Sequence, residues 1–182
     1  IQTKLDILDR ALLVVVDTNI PAETLVFLAH RCKAPLFADP VSTAKATKLQ
    51  PILGRLHTLK ANRLEAALLS GVDITDDASL ERAAQALLDT GLKQVFLSLG
   101  PDGVLCTRAG ELYRLGAIPG VMKNATGCGD AFMAALAWSF LEGLELRDSA
   151  RAGLAAAAIA LAGEETINPN LSAGAVKALA NL

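Results

Sequence analysis

Short apolar runs separated by longer amphipathic stretches recur from one end of this chain to the other, and that alternation constrains the fold more than any other feature. Leu12–Asp17 (LLVVVD) has the β-branched, continuously apolar character of a buried strand and ends in polar Asp17, Thr18 and Asn19. Pro21 opens a helical pattern in which Leu25, Leu28 and Ala29 share a face through about Arg31. Pro35–Ala38, Leu56–Leu59 and Gln94–Leu99 predict three further strands. Between the last two, Asn62 to Gly71 and Ser79 to Gly91 carry helical stripes, the second built from Leu80, Ala83, Ala84, Leu87 and Leu88. Parallel neighbours need helical crossovers, so the expected architecture is α/β: a mostly parallel sheet with helices on both faces. Gly100-Pro101-Asp102-Gly103 predicts a turn into Val104–Thr107, which pairs with Leu112–Leu115 as an antiparallel edge. Gly129 to Leu141, Leu146 to Leu161 and Ser172 to Ala180 read as three closing helices. No repeat, low-complexity tract or linker interrupts the 182 residues, which reads as one domain.

Composition narrows the functional classes. With 52% apolar and 20% charged residues the chain can bury a core, which excludes general disorder. Seventeen basic against nineteen acidic side chains leave a formal charge of −2, so neither nucleic acid nor an anionic membrane is an expected partner. The longest apolar stretch, Ala152 to Gly163, falls short of the roughly 20 residues of a membrane span. Cys32, Cys106 and Cys128 are odd in number and widely spaced, which suits reduced thiols in a cytoplasmic protein. Ile1 in place of Met, with no signal-peptide pattern after it, reads as a chain that begins inside a longer protein.

In parallel sheets ligands bind beyond the carboxyl ends of the strands. Here those ends carry Asp17 and Asn19, Asp39, Lys60 and Asn62, and Ser98 and Gly100. The most specific segment is Asn124–Phe132, NATGCGDAF, running into a helix. Two glycines around a small residue let successive N–H groups turn toward one point, and a helix start adds the positive end of its dipole; an anion is the natural guest. Asp130 beside such a cradle is placed to take a proton from an attacking hydroxyl, although for an isolated motif a capping Asp after a glycine turn is the more frequent explanation. Asn62 and Glu65, one helical turn apart, suit either a capping box or a hydrated divalent cation, and the two readings coexist.

Taken together, NATGCGDAFMAAL, Asn62-Arg63-Leu64-Glu65 and Ser98-Leu99-Gly100 followed by Gly103-Val104 resemble, in the same order, three signatures of the ribokinase-like (PfkB) family of carbohydrate and nucleoside kinases. DTNIP, DPVSTAK, HTLKANRLEA and ETINPNLS are most similar to its pseudouridine-kinase branch. The resemblance implies a three-layer ribokinase-like fold and ATP-dependent phosphorylation of a nucleoside or sugar hydroxyl. It implies Asp130 as catalytic base and Gly127, Cys128 and Gly129 as anion hole. Asn62, Ser98, Gly100, Gly103, Thr126 and Asn168 are then expected to serve ATP, and Lys45 a phosphate. Glu65 and Asp39 would hold Mg²⁺ through water, and Asp17 and Asn19 are the nearest candidates for the substrate. Asn124 and Thr126 fall on a loop that supports a monovalent cation in ribokinase relatives, with Asn124 where Asp is common. The acceptor-binding and lid part of the family, through which a homodimer would form, is expected outside this chain.

Two alternatives stay open: a ribokinase- or fructokinase-like sugar kinase, and a nucleotide-binding module without turnover. A dinucleotide-binding dehydrogenase domain is excluded, since no GxGxxG follows the first strand. GxxxxGK[ST] is also absent, so any phosphate cradle here is not a P-loop. His30, His57 and Trp138 read as structural, Cys128 as a small filler and Glu164-Glu165 as a solvated turn.

Overall fold

The computed structural model describes residues 4–120 and 122–182. In chain order the elements are α1 (Leu5–Leu8), β1 (Val14–Asp17), α2 (Ala22–Arg31), β2 (Leu36–Asp39), α3 (Thr43–Ala46), a 3-10 stretch Thr47–Arg55, β3 (Thr58–Asn62), α4 (Arg63–Ser70), α5 (Asp77–Asp89), β4 (Gln94–Ser98), β5 (Val104–Arg108), β6 (Glu111–Leu115), α6 (Cys128–Leu141), α7 (Leu146–Leu161) and α8 (Ala173–Ala180). The strands form one sheet in the order β1 to β6. The first four pair in parallel. Leu99–Gly103 and Ala109-Gly110 are too short for a parallel crossover, so the β5 and β6 edge is antiparallel, as expected. By compactness the chain divides into two units, one of residues through Ser98 with Thr107–Leu112, the other of Leu99–Cys106 with Tyr113–Leu182.

In the first unit every residue of β2 is buried, as are Thr58, Leu59, Lys60 and Ala61 of β3. Neighbouring strand residues point to opposite faces, so helices or loops cover both faces there, which is why these strands lack alternating polarity. Phe37, Phe96, Leu25, Leu49, Ile52, Leu59, Leu80 and Leu87 fill the core. Local sequence sets the helix ends. The Asn62 side chain accepts the Glu65 N–H while the Glu65 carboxylate accepts the Asn62 N–H, and Gly71 closes the same helix at φ +72°. Asp76 and Ser79 form a second reciprocal cap. Ser79 therefore lies inside the first turn of α5, which starts two residues before the expected position.

Two strand starts also differ from expectation by two residues. The third strand begins at Thr58 rather than Leu56, because the Leu56 N–H still closes the preceding 3-10 turn on Leu53 O and His57 is the first residue to bond a neighbouring strand, at Leu36 O. The first strand begins at Val14; Leu12 lies outside it, 74% exposed. The four-residue helix α1 buries no residue and lies outside the expected elements.

The second unit is held by α6, α7 and α8. Ala131, Ala135, Ala152, Ala155, Ala156 and Ala160 make one buried cluster with Val176 and Ala180. Such small side chains let helix backbones approach closely. A Cβ on Gly153 would lie 2.6 Å from Phe132 Cζ, so a larger residue there requires the ring to move. Among the described residues one buried side-chain polar atom lacks a hydrogen-bond partner, Ser139 Oγ. Since leaving a buried hydroxyl unpaired costs about 1–3 kcal/mol, Ser139→Ala is expected to raise the urea midpoint of unfolding; a lower midpoint would show that the hydroxyl is satisfied in solution.

Candidate functional site

Within the first unit the parallel register brings chemistry to one end of the sheet. Asp17 lies beside Asp39, and Asn62 beside Ser98. Two carboxylates in register repel, and each is compensated. Asp39 receives the Lys60 ammonium at 2.7 Å, both groups buried, and its other oxygen accepts the Val41 N–H at 2.9 Å. Asp17 accepts both the backbone N–H and the side-chain amide of Asn19, at 2.8 and 2.9 Å. Asn19 Oδ1 in turn accepts the Lys45 ammonium at 2.6 Å. The expected substrate and phosphate candidates Asp17, Asn19 and Lys45 thus form one hydrogen-bonded chain.

The pairing of Lys60 with Asp39, the anchoring of the 18–20 loop by Lys48 on Thr18 O and Ile20 O, and the left-handed Val41 (φ +62°) are not foreseeable from local pattern. A β-branched residue in that conformation is strained. It is held by the short loop that begins at Asp39-Pro40, where Ser42 N bonds Pro40 O.

Glu65 is 3% exposed. Burial pushes its carboxyl above the usual carboxylate range, the nearby Asp39 charge adds to that, and the Asn62 N–H and the Lys60 charge oppose it. One oxygen, Oε2, serves the cap at 2.9 Å, and the Asn62 side chain also bonds the carboxyl. Asp39, with both oxygens engaged, has less to offer an ion directly. A raised carboxyl pKa contributes stability that is fully present below the unfolded value and is lost as pH rises through the folded value. Ionised Glu65 is therefore a burden near neutrality. Glu65→Gln, whose carbonyl can still accept the cap N–H, is expected to be at least as stable as the parent at pH 7.5, with the difference closing toward pH 4. Urea titrations at both values check this, and marked destabilisation at pH 7.5 would contradict it.

Ser98 donates to Ala61 O at 3.3 Å. In the second unit Gly103 lies so close to Leu115 O that no side chain could be added there, and Gly100 faces solvent. The residues of NATGCGD form a tight turn into α6. Asn124 Oδ1 accepts the Thr126 N–H at 2.9 Å, and Gly127 caps the helix at φ +84° against Thr166 O. The Cys128 N–H leans on Ala125 O at 3.4 Å, whereas the N–H groups of Gly127, Gly129 and Asp130 have no acceptor among the described residues. Asp130, third residue of the helix, is exposed and bonded to no described residue. Burial pushes the Cys128 thiol up, which makes it a poor nucleophile at neutral pH.

Asn168 is buried, its Nδ2 donating to Ile159 O of α7 at 2.6 Å and its Oδ1 accepting the Asn170 N–H at 2.9 Å, which leaves one amide hydrogen and one lone pair uncommitted by these two bonds. His57 stacks on Phe37, with ring centroids 5.3 Å apart.

The model of the pfkB family of carbohydrate kinases matches residues 2–173. The chain belongs to the pfkB family. It is 40% identical over 170 residues to the uncharacterized sugar kinase YeiI of Escherichia coli, covering 92% of this chain and 47% of that protein. It is 37% identical over 169 residues to the pseudouridine kinase of the same organism, covering 92% of this chain and 54% of that protein. A putative sugar kinase from Clostridium perfringens superposes with a TM-score of 0.93 at 31% identity, over 99% of this chain and 57% of that one. Phosphofructokinase-2 from Escherichia coli in complex with potassium shares the fold alone, with a TM-score of 0.84 at 22% identity, over 99% of this chain and 59% of that one. The chain spans about half the length of the curated relatives it matches. Among the described residues no helix is long and apolar enough to cross a membrane.

Proposed function

We propose that the protein to which this chain belongs transfers the γ-phosphate of ATP to a hydroxyl of a nucleoside or sugar. The observation that carries this is the Asn124–Asp130 turn, where unengaged N–H groups, a helix start and an exposed carboxylate adjoin. The N–H groups of Gly127 and Gly129, joined by that of Asp130, hold negative charge developing on the transferred phosphoryl group. Cys128 joins this hole only by releasing its long bond to Ala125. The Asp130 carboxylate accepts the proton of the attacking hydroxyl.

The family implies Mg²⁺, and the donor set fits a hydrated ion. Glu65 offers its carboxylate, and Asp39 contributes charge through water, hard oxygens of the kind Mg²⁺ takes. When bound, the ion neutralises phosphate charge. Ser98, Gly100 and Gly103 shape the strand-end turn for the nucleotide, with Thr126 in the anion turn. Lys45 is available to a phosphate on release from Asn19, and Asp17 and Asn19 to an acceptor hydroxyl.

Identity to a pseudouridine kinase and to a sugar kinase supports both acceptor classes, and the stretches at Asp17–Pro21 and Asp39–Lys45 favour a nucleoside. The test is ADP release by the full-length protein with pseudouridine, uridine, ribose and fructose. Turnover on a nucleoside is expected. Turnover on a sugar alone would select the second acceptor class, and none on any acceptor, with ATP bound, would favour a non-catalytic module. Residues 1–182 alone are expected to bind ATP weakly and to turn over no nucleoside at a useful rate, since orienting the hydroxyl can supply several kcal/mol.

A further inference from the structure

The segment after α7 is tied to the anion turn by a set of bonds that leaves little for an ion to do. Leu161 O, at the end of α7, accepts the N–H groups of Lys123 and Asn124, at 2.8 and 3.2 Å. Asn124 Nδ2 donates to Glu164 O at 3.2 Å, and the Lys123 ammonium reaches Glu164 Oε1 at 3.2 Å. Beyond it Thr166 O packs on Gly127.

A monovalent cation, as in the potassium complex of the fold relative, needs several oxygens with lone pairs to give, and is helped by a carboxylate. These residues do not fit one. The orientation of the Asn124 amide is set from two sides: its oxygen meets the Thr126 N–H and its NH₂ meets a carbonyl, and the flipped form would set donor against donor and oxygen against oxygen. The positive edge of the amide therefore already occupies the approach to Glu164 O. Both lone pairs of Leu161 O are used, and an ammonium already sits beside Glu164.

We propose that the Asn124 amide, supported by Lys123, supplies from within the chain the positive edge that a bound monovalent cation would bring, so that the shape of the Asn124–Gly127 turn does not depend on potassium or sodium. Asn124 is thus a positioning residue. The consequence for nucleotide binding rests on reading this turn as the phosphate site; the tie itself does not. Asp at position 124 would keep the acceptor for Thr126 but lose the donor, setting a charged oxygen against Glu164 O and recreating a need for a cation.

The test compares the intact chain and Asn124→Asp in KCl, NaCl and N-methyl-D-glucamine chloride at equal ionic strength, by thermal melting and by titration with a fluorescent ATP analogue. The parent is expected to show the same melting midpoint and the same affinity, within about twofold, in all three salts. Asn124→Asp is expected to melt lower and to bind about tenfold more weakly without an alkali cation, and to recover most of both in KCl. Potassium tightening or stabilising the parent several-fold overturns the proposal, as does an Asn124→Asp protein with the salt-independent behaviour of the parent. If the variant folds poorly, refolding yield in KCl against N-methyl-D-glucamine reads the same dependence. If the parent binds no nucleotide in any salt, the phosphate reading fails while the melting comparison still decides the tie.

Discussion

Asp130→Asn is expected to leave the fold and ATP affinity nearly intact and to lower phosphoryl transfer by the full-length protein by a factor on the order of 10²–10⁴. Asp130 is exposed and bonded to no described residue, so an isosteric amide disturbs no packing and breaks no bond. Its structural contribution is the favourable placement of a negative charge in the first turn of α6, worth about 0.3–1 kcal/mol. The proton acceptor, by contrast, is removed altogether. Steady-state turnover, calorimetry with ATP and urea unfolding on the same preparation separate these effects. Equal turnover by parent and variant would remove Asp130 from the proton-transfer step.

Gly127→Val is expected to reduce ATP affinity by at least about tenfold, more than its cost in stability explains. Two independent constraints act at this position. The backbone is left-handed at φ +84°, where a β-branched residue is strained, and a Cβ would drive into Thr166 O. Relief of either turns the Gly127 and Gly129 N–H groups away from their common point. Gly71→Val is the matching control. It is also left-handed, at φ +72°, but nothing lies within 4 Å of its Cβ position, so it should cost stability and spare affinity. If both variants bind ATP like the parent, the turn is not the phosphate site.

Much of this was legible because the relevant signals are local. β2 and β4 follow from continuous apolar runs, α4 from the Asn62 and Glu65 spacing, and the turn into α6 from two glycines before a helix, each a matter of neighbours in sequence. The start of β3 was not legible, because Leu56 is apolar and buried whether it closes a 3-10 turn or opens a strand. Nor could the pairing of Lys60 with Asp39 be foreseen, since residues 21 apart meet only once β2 and β3 are in register. Asn168 shows the reverse case. An Asn in Asn-Pro-Asn reads as an ordinary loop residue, and only the return of that loop to α7 reveals that one of its amide hydrogens is held by Ile159 O. Asn124 showed in sequence as a departure from a family pattern, but the Glu164 carbonyl that gives the departure its meaning lies 40 residues away.

The central claim, that the Gly127–Asp130 turn receives the phosphates of a nucleotide, is tested most directly by amide ¹H–¹⁵N spectra of the chain titrated with Mg²⁺ and a non-hydrolysable ATP analogue. The resonances of Gly127, Gly129 and Asp130 are expected to move most, with downfield proton shifts as their N–H groups gain charged acceptors, while those of Gly71 and Gly143 stay in place. Saturable binding that leaves the three turn resonances unmoved would contradict it.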